Sequence, residues 1–368
     1  MVERDNIIER GKEAFKGKKV LFVLPVMDAG GGANVILDEA QCMQKMGVDV
    51  RVFNLPEYKD GFLQSYKHST IPFVFENANR LVEVVKDYDA VIASSHYSVP
   101  WLKPLEIYQP KLKLGYYIQG FEALMYPEGS REAQVAINSY TLINGMIGFT
   151  KTRWTKEQIV SFAHADPEVI GISVNIDLFR PRVNRPFGKK PVQIAALIRP
   201  SSPYRNPEFT ARVLMETRKK YGLEVEITLF GANDVNEIVP AHLLNFEYRQ
   251  LGKLTQLQVS DLMSNLDIFT DFSSHQAMGL SALEAMASGA TVIVPKNGGA
   301  VEFIDHRKNG FVVDTTSYED CFQALSEMIE NHELRKSMQI AGINDVSRLF
   351  PERCAYNILH LFFGEENI

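Results

Sequence analysis

The feature that most constrains the fold is a regular alternation of buried-strand and helix patterns, which begins near the N-terminus. Residues 20–24 form a continuous apolar run, three glycines follow at 30–32, residues 33–46 show helical periodicity and residues 48–55 are strand-like again. Uninterrupted apolar runs are typical of strands that are buried on both faces of a parallel sheet. This βαβ pattern therefore predicts an α/β domain built on a parallel sheet.

The alternation continues through predicted strands at 90–94, 114–118 and 145–150 and a helix at 134–142, and it stops in a proline-rich segment at 174–191. A second series then follows, with strands at 192–198, 225–230, 268–271 and 291–295 and helices at 207–221, 256–265, 279–287 and 300–304. From residue 317 onward the pattern is largely helical. Prolines that interrupt the periodicity are typical of a linker between domains.

The two series predict two doubly wound domains that face each other across a central cleft. We expect residues 1–175 to form the first domain, 176–190 the linker and 191–345 the second domain. Residues 346–368 are expected to form a helical segment that packs back on the first domain. A chain of 368 residues is long enough for two such cores.

Composition excludes several classes of protein. The formal net charge is -6, whereas a general nucleic-acid-binding protein usually has a basic surplus. Three cysteines (Cys42, Cys321, Cys354) are too widely spaced for a Cys-x-x-Cys motif and suit a reducing compartment. The charged N-terminus has no signal-peptide core, and the apolar run at 20–26 is too short to span a bilayer. We expect a soluble cytoplasmic protein; contact with the inner face of a membrane and the oligomeric state stay open.

The most informative segment lies in the second series, where a loop at 273–278 enters a helix at Gly279-Leu280-Ser281. Backbone N–H groups at a helix start have no intrahelical partner and form a natural phosphate site. Gly279 would allow close approach of a ligand. Glu284, about one turn further, could accept hydrogen bonds from a ribose diol. Gly298 and Gly299, followed by Glu302, predict a second close approach at the next strand end.

These residues resemble the donor-site signature of retaining glycosyltransferases of family GT4, in which Glu-x7-Glu ends in "LEAMA-G". Three further segments are similar to that family in the same order: residues 173–181 to "PNGVD-x-x-F-x-P", 251–254 to "LG-x-L" and 309–313 to "NG-x-L-V". The resemblance implies the GT-B architecture, two Rossmann-like domains, with the nucleotide-sugar site in the C-terminal one.

One position departs from the family pattern. The first glutamate of Glu-x7-Glu falls on Gln276, with Glu284 as the second. The resemblance implies that the first carboxylate contacts hydroxyls of the donor sugar. An amide can form such hydrogen bonds but carries no charge, so Gln276 indicates either a different donor sugar or a weakened enzyme.

The resemblance also implies two cations near the end of the strand at 192–198 that hold the leaving diphosphate. Here they would be Arg199 and Arg205. Two cations and a helix N-terminus could stabilise the leaving group without a metal ion. Taken alone, the two arginines would more readily be solvated surface residues, and the flanking strand, loop and helix favour the functional interpretation. Asp87-Tyr88-Asp89 precedes a buried strand and is interpreted as a solvated turn, so no metal site is predicted.

In the first domain, residues 116–127 resemble "Y-x-V-Q-D-x-E-x-x-F-Y-P" of bacterial rhamnosyltransferases, which use dTDP-L-rhamnose, with Gly120 in place of the aspartate. An amide, a carboxylate and several aromatic rings in one loop suit contacts with sugars. The histidine in Ser-Ser-His-Tyr-Ser follows another strand end. A lone histidine is usually structural, but this position makes a functional role equally plausible. The predicted acceptor-binding residues are Gly31, Gly32, His96, Gln119, Glu122 and Tyr126.

The sequence thus predicts a metal-independent retaining hexosyltransferase that needs no cofactor beyond its nucleotide-sugar co-substrate. Its acceptor would be a glycan or a lipid-linked glycan in bacterial cell-surface polysaccharide synthesis. A catalytically silent GT-B protein that binds a nucleotide or glycan as an assembly partner is the alternative. A dehydrogenase is disfavoured because the glycine triplet lacks the Gly-x-Gly-x-x-Gly order.

Overall fold

The computed structural model describes residues 2–182, 191–199 and 203–364 and divides the chain into two compact units. The N-terminal unit comprises Met1–Ser173 and Phe350–Ile368, and the C-terminal unit comprises Val174–Leu349. The expected linker falls in the C-terminal unit as far as it is described. Residues 183–190 of that linker and residues 365–368 of the expected C-terminal segment lie outside the described residues.

The described residues of the N-terminal unit form a seven-stranded, fully parallel sheet in the order β3-β2-β1-β4-β5-β6-β7. The strands in its middle are apolar and almost completely buried, as the continuous runs predicted. The strands are β1 (Lys19–Val23), β2 (Asp49–Asn54), β3 (Phe73–Phe75), β4 (Ala90–Ala93), β5 (Lys113–Ile118), β6 (Ile147–Thr150) and β7 (Glu168–Val169).

Helices connect these strands. They are α1 (Val2–Phe15), α2 (Gly31–Lys45), α3 (Lys59–Ser65), α4 (Leu81–Val84), α5 (Val99–Leu102), α6 (Leu105–Tyr108), α7 (Arg131–Ser139) and α8 (Arg153–Ala163), with 3-10 turns at Pro56–Tyr58, Ala78–Arg80 and Glu122–Met125. The prediction of α2 was wrong at its start, because Gly31 and Gly32 belong to the first helical turn and not to the preceding turn. Glycine is unfavourable inside helices but is tolerated at their ends, so the glycine triplet indicated a boundary two residues too late.

The C-terminal unit contains a six-stranded parallel sheet in the order β10-β9-β8-β11-β12-β13. Its strands are β8 (Val192–Leu197), β9 (Val225–Phe230), β10 (Arg249–Gln250), β11 (Ile268–Thr270), β12 (Thr291–Pro295) and β13 (Phe311–Val313). Its helices are α9 (Pro207–Tyr221), α10 (Gln256–Met263), α11 (Leu280–Ala287), α12 (Tyr318–Glu330) and α13 (His332–Val346), with 3-10 turns at Pro203–Arg205, Gly222–Glu224, Val235–Glu237, Ala241–Leu243 and Gly299–Glu302. The short helix expected at 300–304 is thus a 3-10 turn.

The last helix, α14 (Pro351–Phe363), packs on α1 and α2 of the N-terminal unit. Its buried Glu352 accepts a hydrogen bond from the Arg4 guanidinium at 2.7 Å and forms an ion pair with Lys45 at 3.1 Å. The two sequence ends of this unit are therefore joined by charge as well as by apolar packing.

Both sheets reverse their strand order at one place, between β1 and β4 in the N-terminal unit and between β8 and β11 in the C-terminal unit. In doubly wound sheets, ligands bind outside the carboxyl ends of the strands at such a reversal. The loops that follow β1, β4, β8 and β11 are therefore the first places to look for a site, and most of the predicted site residues lie in or next to them.

Candidate functional site

The loop between β11 and α11 has the predicted geometry of a helix entry. Gly279 caps α11 in the left-handed region, with φ of +83°, and an added Cβ would lie 3.1 Å from the Cβ of Ala300. Another residue would therefore be strained there. Leu280 and Ser281 form the first turn of α11 and are half-buried. The first-turn N–H groups lie at the carboxyl end of the sheet, where an anion could accept their hydrogen bonds.

Glu284 lies one turn into α11, and its side chain is buried. Its charge interacts with that of Arg199, which follows β8, and β8 is the neighbour of β11 in the sheet. Arg199 as a residue is solvent-exposed, yet desolvation of its guanidinium and the nearby charge of Arg205 lower its pKa, against the effects of Tyr204 and Glu284. The structure thus brings together three of the predicted site residues, two cations and a carboxylate.

The loop after β8 and the loop after β11 are tied to each other by backbone contacts. The Ser274 N–H donates to the Tyr204 carbonyl at 2.7 Å, and the Asn206 side chain donates to the Phe272 carbonyl at 3.2 Å. Arg205 lies against the ring of Tyr204, with its guanidinium carbon 5.0 Å from the ring centroid. The Arg205 Nε atom is buried and has no hydrogen-bond partner among the described residues.

His275 completes this group, because its ring lies 4.7 Å from that of Tyr204. Burial and the charge of Arg205 lower the pKa of His275, and Asp271 acts in the opposite direction. The Ser274 hydroxyl is 3.1 Å from His275 Nδ1. We call Arg199, Tyr204, Arg205 and His275 the cation cluster. The charge of Arg205 lowers the pKa of both Arg199 and His275, and such a group of cations favours an anion as ligand.

Gln276 lies beside the cation cluster in sequence and is buried. Its side-chain Nε2 donates to the Ser273 hydroxyl at 2.9 Å, and its carbonyl accepts from the Gly299 N–H at 2.8 Å. Gly298 has φ of +124°, and an added Cβ would lie 2.1 Å from the Gln276 carbonyl oxygen. Gly298 is therefore required for the approach of two loops. Contact of these residues with a donor stays a prediction, as it does for the exposed Glu302.

In the N-terminal unit, the start of α2 lies against the end of β5. Gln119 donates from Nε2 to the Gly32 carbonyl at 3.0 Å, and an added Cβ on Gly32 would lie 2.7 Å from Gln119 Oε1. Gly31 precedes this contact and is half-buried. The structure thus brings Gly31, Gly32 and Gln119 together at the carboxyl edge of the sheet.

The other three predicted acceptor residues form one hydrogen-bonded chain. Glu122 Oε2 accepts from the backbone N–H of His96 at 2.6 Å and also contacts His96 Nδ1. The opposite ring nitrogen, Nε2, is 3.1 Å from the Tyr126 hydroxyl. His96 and Glu122 are buried, whereas Tyr126 is half-exposed. The sequence indicated each residue but not that the three are joined.

Two polar groups near the sheets were not predicted from the sequence. Tyr204 stands between the two predicted arginines, and an aromatic residue next to a required cation was a usable signal. The second group is a buried ion pair between Glu39 on α2 and Lys151 after β6. Its members are 112 positions apart in sequence, so no local pattern could have revealed it.

Neither a metal-binding group nor a membrane-spanning helix is present in the described residues. Residues 2–182, 191–199 and 203–364 contain no group of three or more His, Cys, Asp or Glu side chains that could hold a metal ion. Within the same ranges, no helix has both the length and the apolar character needed to span a bilayer.

Comparison with known proteins adds a family match over part of the chain. Residues 211–345 match the family model described as Glycosyl transferases group 1. These matched residues lie in the C-terminal unit. The matched region includes α11 and the loop of Gly298 and Gly299, and it begins after Arg199 and Arg205.

Two curated relatives show the range of the similarity. A probable sucrose-phosphate synthase of Thermosipho melanesiensis is 27% identical over an alignment of 213 residues, gaps included, that covers 54% of this chain and 48% of the relative. The alpha-1,3/1,6-mannosyltransferase ALG2 of Mus musculus is 22% identical over an alignment of 404 residues, gaps included, that covers 93% of this chain and 94% of the relative. The chain thus spans about half the length of the first relative and nearly all of the second.

Solved structures confirm the predicted fold. The sucrose-phosphate synthase of Thermosynechococcus elongatus superposes with a TM-score of 0.76 at 16% identity, over 94% of this chain and 98% of the other. Anabaena HepE in complex with UDP and glucose gives 0.75 at 18% identity, over 93% and 98%. The chain has two Rossmann-like parallel-sheet domains of the GT-B type. These likenesses show the fold, and they give no support to the rhamnosyltransferase type.

Proposed function

We propose that this chain transfers a hexose from a nucleoside diphosphate sugar to a hydroxyl of a glycan or lipid-linked glycan, with retention and without a metal ion. The observation that carries the proposal is the meeting of Arg199, Arg205 and the start of α11 at the ends of two neighbouring parallel strands. Two guanidinium groups and a helix N-terminus are complementary to a diphosphate.

In this proposal the C-terminal unit binds the donor. The diphosphate contacts Arg199, Arg205 and the N–H groups that follow Gly279, and Glu284 accepts hydrogen bonds from the ribose. The buried Glu284 and its interaction with Arg199 support this assignment, because the same carboxylate that orients a cation can accept from a ligand hydroxyl. The N-terminal unit binds the acceptor. A role in bacterial cell-surface polysaccharide synthesis at the cytoplasmic side of a membrane stays a prediction.

The chemistry follows from the charges. Cleavage of the bond between the anomeric carbon and the phosphate oxygen leaves negative charge on the diphosphate, and the cation cluster stabilises it more strongly than it stabilises the intact donor. The acceptor hydroxyl then attacks the anomeric carbon from the face that the diphosphate leaves, and its proton passes to an oxygen of the leaving diphosphate. None of the described side chains is proposed as a covalent nucleophile.

As donors, glucose and mannose nucleotides have more support than dTDP-L-rhamnose. The relatives named above are described as a sucrose-phosphate synthase and a mannosyltransferase, and HepE was solved with UDP and glucose. The rhamnose prediction rests on residues 116–127 alone, where Gly120 already departs from the pattern. Gln276 would contribute a neutral amide to the sugar site.

A silent GT-B protein is the second candidate, and Gln276 favours it. The amide at this position is buried and bonded to Ser273, so it can support the loop without contacting a sugar. Such a protein would bind a nucleoside diphosphate but release no sugar from it.

The first test is a thermal-shift screen of the full chain against UDP, GDP, ADP, dTDP and NAD. A ligand that binds only the folded state stabilises it by about 2.7 kcal/mol at about 100 times its Kd. We expect one nucleoside diphosphate to raise the Tm, and Arg199→Ala and Glu284→Ala to abolish the rise. Arg212→Ala is the matched control, because this exposed arginine of α9 contacts Tyr318 instead. A rise with NAD alone would support a dehydrogenase, and no rise with any diphosphate would contradict the donor site.

The second test separates enzyme from silent protein. Release of nucleoside diphosphate is measured with UDP-glucose, GDP-mannose and dTDP-L-rhamnose, with and without EDTA, in the presence of octyl glycosides as acceptors. We expect release from a glucose or mannose nucleotide that EDTA does not reduce, and an anomeric configuration in the product that matches the donor. Binding without any release would favour the silent protein.

A further inference from the structure

We propose that the Tyr126 hydroxyl accepts a hydrogen bond from a hydroxyl of the bound carbohydrate acceptor, and that His96 and Glu122 act only as positioning residues behind it. This inference rests on the proposed function and deepens it, because it assigns different roles to three residues that the sequence could only group together.

The first step is the state of the His96 ring. Glu122 Oε2 accepts from the His96 backbone N–H at 2.6 Å and contacts Nδ1 of the same residue. An ionised carboxylate can only accept hydrogen bonds, so Nδ1 must carry a proton. In a neutral imidazole the other nitrogen, Nε2, is then an acceptor. The carboxylate thereby fixes both the tautomer and the orientation of the ring, as carboxylates do for functional histidines elsewhere.

The second step is the direction of the next hydrogen bond. The Tyr126 hydroxyl is 3.1 Å from His96 Nε2, and the two rings meet edge to face at 83°. When the imidazole is neutral, Nε2 accepts and the phenol donates its single proton to it. The phenol oxygen is then left with acceptor capacity only. A group that approaches Tyr126 from outside must therefore be a donor, such as a sugar hydroxyl.

The third step compares the solvent exposure of the three residues. Glu122 is 5% exposed and His96 is 6% exposed, whereas Tyr126 is half-exposed. Both His96 ring nitrogens are engaged, so direct contact of His96 or Glu122 with a sugar would require the chain of hydrogen bonds to break. Tyr126 is the one member of this chain whose oxygen can meet a ligand without such a break.

The loop that carries Tyr126 is held in place by a second tyrosine. The Glu122 N–H donates to the Tyr140 hydroxyl at 3.0 Å, and the Tyr140 ring stacks on Phe121 and on Tyr116. Glu122 and His96 are thus fixed from both sides. A rigid, buried support that ends in one accessible polar atom is typical of binding sites, since the ligand then pays no entropy for ordering the contact.

The chain is tested first by NMR on the full-length protein with 15N-labelled histidine. We expect the His96 signals, assigned by their loss in His96→Asn, to show a protonated Nδ1 and an accepting Nε2. In Tyr126→Phe the Nε2 shift should move toward that of a nitrogen without a hydrogen bond, while Nδ1 stays protonated. A proton on Nε2 in the wild-type protein would overturn the inference, because Tyr126 would then have to accept from His96.

The contact is tested by saturation-transfer NMR with octyl β-D-glucopyranoside and octyl α-D-mannopyranoside in the presence of UDP. We expect Tyr126→Phe to weaken binding of the recognised glycoside about 3- to 10-fold, the factor for one neutral hydrogen bond. Tyr97→Phe is the matched control: its ring also meets the His96 ring, at 5.0 Å, but its hydroxyl interacts with Ser95. Equal binding by the two variants, or no saturation transfer in the wild-type protein, would overturn the inference.

These outcomes stay distinguishable from a failure of the proposed function. UDP-dependent stabilisation depends on the C-terminal unit and should be the same in Tyr126→Phe and in the wild-type protein. Loss of that stabilisation in Tyr126→Phe would mean that the variant is damaged generally and would count against a specific acceptor contact.

Discussion

Two charged groups of this protein are organised in opposite ways. In the N-terminal unit, Glu39 accepts hydrogen bonds from Lys151 at 2.5 Å, Ser173 at 3.1 Å and Tyr117 at 2.8 Å, and Lys151 also donates to Ser173 at 2.8 Å. All of these side chains are buried, and the nearby Cys354 thiol interacts with Lys151 and Ser173. Opposite charges are paired, so this group is complete without a ligand.

In the cation cluster of the C-terminal unit, by contrast, like charges lie together. Arg199 and Arg205 repel each other, His275 is held toward its neutral form, and the buried Arg205 Nε has no hydrogen-bond partner among the described residues. Such an arrangement lowers the stability of the folded protein, and an anion would relieve it. Burial of a charge that protein side chains pair therefore indicates nothing about function, whereas like charges held together beside a buried donor without a hydrogen bond indicate a ligand.

The largest effect is expected when the complete group is broken. Lys151→Met removes the cation and leaves the Glu39 carboxylate buried without its charge partner. Loss of one member of a buried ion pair destabilises a protein by about 3–5 kcal/mol. We therefore expect a loss of this size in the free energy of unfolding of the full chain, measured by urea denaturation.

Lys156→Met is the matched control for Lys151→Met. Lys156 also pairs with a carboxylate, that of Asp166 at 2.8 Å, but this pair lies at the surface. Surface pairs contribute about 0–1 kcal/mol, so this variant should unfold almost as the wild-type protein does. Similar losses in the two variants would show that the Glu39 group is not energetically distinct.

The second-largest effect concerns the cation cluster. Here we expect a substitution not to lower the free energy of unfolding, in contrast to Lys151→Met. Arg205→Gln removes one of two repelling charges and a guanidinium with an unsatisfied buried donor. We expect the free energy of unfolding to stay constant or to rise by about 1 kcal/mol. Affinity for the recognised nucleoside diphosphate should fall about 10- to 100-fold, because a hydrogen bond to a charged group contributes about 1.5–3 kcal/mol.

Calorimetric titration and urea denaturation of the same preparations measure both quantities. Arg212→Gln should change neither of them, because Arg212 lies on the exposed side of α9. If Arg205→Gln destabilised the free protein and left nucleotide affinity intact, Arg205 would be a structural residue and the contrast between the two groups would fail.

Features that depend on a local sequence pattern could be predicted, and features that depend on distant contacts could not. Both parallel sheets follow from local apolar runs, and β1, β4, β8, β9, β11 and β12 were all expected within one or two residues of their observed bounds. Strands such as β7 and β10 have two residues each and pair only at sheet edges, so they carry no local pattern. Helix α8 was missed as well, although Thr152 caps its start.

For the site, sequence order located individual residues but not their partners. Gly279 and Glu284 could be found because the helix entry and the buried carboxylate lie within one turn of each other. The chain of Glu122, His96 and Tyr126 could not, because β4 and β5 must pair before His96 meets a residue 26 positions away. The orientation of the His96 ring depends on that contact and on Tyr126.

The smallest effect tests whether His275 belongs to the cation cluster functionally. Its pKa in the free protein lies below the usual value of about 6.5, since burial and Arg205 disfavour the charged form. By this group alone, the folded state is most stable above pH 6.5 and loses stability as the pH falls through the lowered pKa. A bound diphosphate adds negative charge and raises that pKa again. Affinity for the diphosphate should therefore increase as the pH falls from about 7.5 to about 5.5.

The increase should reach at most about tenfold, the factor that corresponds to one pKa unit. Because the terminal phosphate itself titrates near pH 6, the quantity to compare is the difference between the wild-type protein and His275→Gln across the same pH series. The variant should lack only the part of the increase that depends on the imidazole. Identical pH profiles would mean that the diphosphate does not alter the charge of His275, and the cation cluster would then consist of the two arginines with Tyr204 alone.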